Sequence, residues 1–233
     1  MTHALPNDMQ PGPSPSDVTR IVLRPYALPL PLGFLALAIG SCLLTSLQLH
    51  WIPVTDTSQV ATAVLGFVVP LQFVATIFAF LIRDVVMATG IGLLTGCWLA
   101  IGALLESAKP GSTSPVVGIL AIAVAVALLV PAVTASWSKP VAAVIMVVAS
   151  VRFAFTGIYQ LTGGTGWQDA TGIMGIVLMG TALYGSLALS LEDARHKSIL
   201  PIKRLGTSAR AMSGEFVHQV ETLPTEAGVR QES

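Results

Sequence analysis

The sequence predicts an all-α integral membrane protein with six transmembrane helices in a 3+3 inverted repeat and cytoplasmic N- and C-termini. Three observations lead to this reading. Of 233 residues, 53% are hydrophobic and 10% charged, with a mean hydropathy of +0.77, whereas a soluble domain carries about 25% charged residues. The apolar residues gather into six runs, each near the length a helix needs to cross a hydrocarbon core, about 20 residues at ~1.5 Å rise. Nearly all lysines and arginines fall on one side of the resulting six-span layout.

The spans are read by length and punctuation at 31–50, 60–82, 85–105, 116–135, 141–161 and 169–191. Pro25, Pro29 and Pro31 lead into the first span. Pro70, near the middle of the second, removes a backbone donor and predicts a kink. Arg83 and Asp84 make a tight turn into the third, and the stretch from Lys109 to Pro115 is a loop of turn-forming residues. In the fourth span, Ala121, Ala123, Ala125 and Ala127 alternate with branched residues. Period two suggests a strand, but eighteen residues without a polar side chain argue harder for a membrane helix.

The domain layout follows. Residues 1–24 are expected to be a disordered cytoplasmic tail: 1–19 are rich in Pro and Ser, contain Asp8 and Asp17, and lack the apolar stretch of a cleavable signal peptide. Residues 25–195 form the six-helix transmembrane domain, and 196–233 form a mobile cytoplasmic C-terminal tail. Arg20, Arg24, Arg83, Lys139, Arg195, Lys197, Lys203, Arg204, Arg210 and Arg230 fall on one side, and only Lys109 lies in a loop on the other. The positive-inside rule puts both termini in the cytoplasm of a multi-pass plasma (inner) membrane protein.

The chain also resembles itself at an offset of 80 to 85 residues. Gly33-Phe-Leu-Ala-Leu-Ala38 matches Gly118-Ile-Leu-Ala-Ile-Ala123, and Gln72-Phe73-x-x-Thr76 matches Arg152-Phe153-x-x-Thr156. Ala88-Thr-Gly-Ile91 is identical to Ala170-Thr-Gly-Ile173. Three spans per repeat is odd, so the halves sit inverted, as in many transport proteins whose solute path lies where the halves meet. Ala88, Gly92, Gly96 and Ala100 recur every fourth residue, a stripe that lets helices approach closely.

Arg152 is the residue that asks for a function. It stands inside an apolar span, where a guanidinium costs several kcal/mol, and such charges are kept for solute paths or ion pairs. Its fork suits a carboxylate. Alternatives are an interfacial role or a strut paired with Asp169. Gln72, Thr76 and Thr156 join it as substrate-path candidates; for Gln72 a plain interhelical hydrogen bond is the alternative.

The entrance to the first span, Leu28-Pro-Leu-Pro-Leu-Gly-Phe34, resembles the Asn-Pro-Ala-Pro-Leu-Gly-Leu signature of the succinate–acetate permease family, also called acetate uptake transporters. Leu71-Gln72-Phe73 is similar to that family's Ala-Gln-Phe, Trp98-Leu99 to its Phe-Trp-Leu, and 172–189 with Tyr184 to its last helix. The resemblance implies six helices per subunit, a homo-oligomer (usually a hexamer) and a narrow path for acetate, related monocarboxylates or succinate. By position it implies that Pro29, Pro31 and Gly33 shape the pore entrance and that Leu37 and Leu94 stand at an aromatic constriction, here hydrophobic. Leu28 replaces the signature Asn, and Arg152 adds a charge foreign to the pattern.

The leading function is therefore a membrane channel or transporter for small carboxylates, with the carboxylate solute and the lipid bilayer as partners. A channel for small neutral solutes such as urea or short amides, and a non-transporting membrane assembly protein, are the alternatives. An enzyme is not expected. His3, His50, His196 and His218 all lie outside membrane depth, and Cys42 and Cys97 make no metal spacing, so neither cofactor nor metal is implied. Zero net charge gives no sign of nucleic-acid binding.

Overall fold

The computed structural model describes residues 27–195 and 199–202. The expected tails, 1–24 and 196–233 apart from 199–202, lie outside the described residues. Six helices are long and apolar enough to cross a membrane, and no strand occurs among the described residues. They are α1 (Leu30–Gln48), α2 (Val54–Leu81), α3 (Val85–Glu106), α4 (Pro115–Ser136), α5 (Pro140–Thr162) and α6 (Thr165–Arg195).

Local chemistry sets each boundary. Pro31, Pro115 and Pro140 stand in the first turns of their helices, where a missing N–H removes no intrahelical bond. Asp84 caps α3 by accepting from the Met87 N–H at 3.4 Å, and Ser114 caps α4 through the Val117 N–H at 3.4 Å. After α5, Gly163 and Gly164 take φ of 71° and 90°, a left-handed pair that stops the helix and starts α6 almost at once.

Two helices begin earlier than their apolar runs. The opening turns of α2 are polar, yet Ser58 and Thr62 donate to the Glu106 carboxylate at 2.8 and 3.1 Å, so α2 and α3 satisfy each other there. In α6, Trp167 packs edge-on against Phe155 at 5.8 Å. The kink expected at Pro70 takes a particular form. A π-helical segment, Val64–Val68, ends two residues before it. Pro70 has no N–H to bond four residues back and its ring crowds that carbonyl, so a locally widened turn relieves both.

In the bundle α4 lies along α5, α1 along α6, and α5 and α3 contact neighbours on both sides. At the α4–α5 seam, a Cβ on Gly157 would stand 2.5 Å from Ile122 and 3.0 Å from the Gly118 carbonyl. Backbones meet here because neither helix has a side chain in the way. The small-residue stripe of α3 is divided: Gly92 faces Thr76 of α2, whereas Gly96 is exposed with nothing within 4 Å. Phe73, Val126, Val130 and Leu187 are among the large apolar side chains left exposed, as lipid-facing surface requires.

The two ends differ in charge. At one, here the basic end, Lys139 forms an ion pair with Asp84, tying the α4–α5 turn to the α2–α3 turn. These residues line a cavity with Arg83, Leu28, Leu189 and Ile202, so the chain enters and leaves the bundle at this end. The opposite end carries the candidate site.

Candidate functional site

At the end opposite the ion pair, parts of all six helices converge on a cleft of about 90 Å³. Gln48 ends α1, Val54 begins α2, Ile101 and Leu105 come from α3, and Lys109 from the α3–α4 loop. Val117 begins α4, Arg152, Phe153, Thr156 and Tyr159 come from α5, and Gln168 from α6. Among the described residues no carboxylate lines the cleft, whereas Lys109 and Arg152 do.

Arg152 lies at the bottom, 2% exposed. Its Nη2 donates to Gln48 Oε1 at 3.4 Å, and its Nε makes no hydrogen bond among the described residues. The guanidinium thus lies beside a neutral amide, with its Nε donor unused among the described residues. Asp169, the counterion considered from sequence, is exposed and does not pair with it. Thr156 donates to the Arg152 carbonyl at 2.9 Å, which seats its side chain on the cleft face of α5. A glycine makes room for the arginine: a Cβ on Gly175 would stand 3.1 Å from Arg152 Nε and 2.0 Å from Thr45 Oγ1.

Gln72 and Thr76 are not in this cleft. Gln72, fully buried, donates through Nε2 to the Gly33 carbonyl at 3.3 Å, and its Oε1 has no partner. Thr76 donates to the Gln72 carbonyl at 2.8 Å and stands 3.3 Å from the Thr95 hydroxyl. Both Gln72 and Arg152 thus reach α1, but at Gly33 and Gln48, about 22 Å apart along the helix axis at ~1.5 Å per residue. Residues expected to face each other lie at different depths because α2 and α5 run antiparallel. Gln72 is nine residues from the basic end of α2, and Arg152 ten residues from the far end of α5.

The remaining predicted residues are placed as follows. Pro29 and Gly33 are buried and Pro31 half-buried at the basic end, where the Pro31 carbonyl accepts from Ser186 at 2.9 Å. Leu37 and Leu94 are fully buried in the core. Sequence reasoning missed Gln48, Lys109, Tyr159 and Gln168, which come from separate chain ends with no shared motif. It also missed Ser41, Thr45 and Trp98 as polar groups: Ser41 Oγ, Thr45 Oγ1 and Trp98 Nε1 are buried without a hydrogen-bond partner among the described residues.

Fold and site together define a multi-pass membrane protein with a buried cation below a solvent-facing cleft. Among solved structures the chain is similar to SatP, a bacterial acetate channel, with a TM-score of 0.68 at 19% identity, spanning 76% of this chain and 99% of that one. The resemblance read from the sequence is therefore real but distant, and it is one of fold. No protein-family model and no curated protein matches the chain.

Proposed function

We propose that this chain is a channel or transporter for small carboxylates such as acetate or succinate, and not an enzyme. Arg152 carries the proposal: a buried guanidinium that donates to a neutral amide, at the bottom of a cleft with no acid among its described lining residues. A charge at membrane depth costs several kcal/mol. An arriving carboxylate supplies the missing countercharge and matches the fork geometry. A neutral solute needs no such charge. The acetate channel named for the similar fold supports the same solute class.

On this reading Arg152 and Thr156 receive the solute, and Leu37 and Leu94 form the narrow dry part of the path. Gln72 and Thr76 serve the other half, and Pro29, Pro31 and Gly33 shape the opening at the basic end. The 3+3 inverted repeat is supported by the paired back-bonds from Thr76 to Gln72 and from Thr156 to Arg152, set at opposite depths. The basic end is the cytoplasmic side of the plasma membrane by its arginines and lysines. Assembly as a homo-oligomer, a hexamer by family resemblance, completes the proposal. The test is uptake of labelled acetate, succinate and urea into liposomes holding the purified protein. Acetate or succinate uptake above protein-free liposomes is expected; uptake of urea alone would overturn the reading.

A further inference from the structure

Hydroxyls inside these helices are mostly bonded to their own backbone. Thr76, Thr95, Thr156 and Thr171 each donate to the carbonyl four residues back, at 2.8 to 2.9 Å. Thr45 departs from that habit. It is 1% exposed and makes no hydrogen bond among the described residues, and its hydroxyl and Arg152 Nε, also unbonded there, both lie against the bare backbone of Gly175. One turn deeper, Ser41 is fully buried and equally unbonded. In lipid an unbonded buried donor is costly, so such donors in a row are not packing.

The row is continuous. Gln48, Thr45, Ser41 and Leu37 are spaced three, four and four residues apart, one face of a 3.6-residue helix. It starts at the residue Arg152 touches and ends at fully buried Leu37. On α3, Leu105, Ile101, Trp98 and Leu94 are spaced four, three and four apart, again one helix face. The first two line the cleft, Trp98 has an unbonded indole N–H, and Leu94 is fully buried. The Trp98 ring lies against Gly40 of α1, where an added Cβ would stand 3.1 Å from it, so α1 and α3 meet at this level.

We propose that these stripes line the path below the cleft. Thr45 and Ser41, with Arg152 Nε, form a second anion-binding station between the cleft and the Leu37–Leu94 level. The proposal rests on the carboxylate reading above and adds where the anion goes next. A carboxylate leaving the Nη2 side of Arg152 loses its water, and the Nε and hydroxyl donors replace it. Two stations in succession let an ion bind well enough to enter and weakly enough to leave.

The test uses protein with Cys42 and Cys97 replaced by alanine, in liposomes, carrying Ser41→Cys or Thr45→Cys, with a small anionic methanethiosulfonate as probe. Ser150→Cys is the control, because Ser150 faces α4, donating to the Ala125 carbonyl at 2.6 Å. Both path cysteines should label several-fold faster than the control, and sodium acetate should slow them. Labelling at the control's rate would overturn the proposal. Independently, Thr45→Val and Ser41→Ala should each lower acetate flux about tenfold, the worth of one hydrogen bond to a charged group; wild-type flux in both would also overturn it. Fast labelling in protein whose wild type carries no acetate would keep the path and sink the carboxylate reading instead.

Discussion

Arg152 donates to Gln48 across the α5–α1 interface at 3.4 Å, a long contact between a full charge and a neutral amide. A pair fixed for stability alone would be shorter and charged on both sides. The arginine has its room from Gly175, since a Cβ there would stand 3.1 Å from Nε. It is thus positioned without being neutralised, the condition a binding site for a passing anion requires.

The topology can be read directly. A reporter fused after Leu205 should report cytoplasm, and one inserted among Thr55, Asp56, Thr57 and Ser58 should report the exterior. A cytoplasmic signal from the second position would remove the orientation and the inverted repeat together. The comparison should be made in whole cells with a paired enzyme reporter.

The α4–α5 seam should tolerate no added methyl. Gly157→Ala places a Cβ 2.5 Å from Ile122 and 3.0 Å from a backbone oxygen, and should cost about 1–3 kcal/mol of stability through overpacking. Gly96→Ala, with nothing within 4 Å, should be neutral or slightly stabilising. Thermal unfolding in detergent distinguishes them.

These two glycines also mark how far the sequence could be read. Six spans were legible because apolar length in a membrane leaves few other solutions. The early starts of α2 and α6 were hidden, since a polar residue such as Ser58 reads as loop until Glu106, 48 residues away, takes its hydrogen bond. Arg152 stood out because a lone charge in an apolar run is visible in one dimension. Gln48, Lys109 and Gln168 did not, because their convergence is a property of the bundle. Thr45 and Ser41 look like ordinary helix residues; only the unbonded state of their hydroxyls sets them apart.

Leu37 and Leu94 should control the width of the path. Both are fully buried, so the double alanine replacement also leaves a cavity, costing about 2–5 kcal/mol per site. In protein that still folds, flux of the larger carboxylate, succinate, should rise relative to acetate. An unchanged ratio would move the constriction elsewhere. Uptake of both solutes by the same liposome preparation supplies the comparison.

The most direct measurement is acetate uptake by Arg152→Gln and Arg152→Lys beside the wild type, each first matched for thermal stability. Glutamine keeps length and hydrogen bonding but removes the charge; lysine keeps the charge but loses the bidentate fork. Arg152→Gln should fold as well as wild type, because no buried carboxylate is left without a partner, and acetate uptake should fall at least tenfold. Arg152→Lys should recover part of it. An Arg152→Gln protein as stable as wild type that takes up acetate at the wild-type rate would contradict the account.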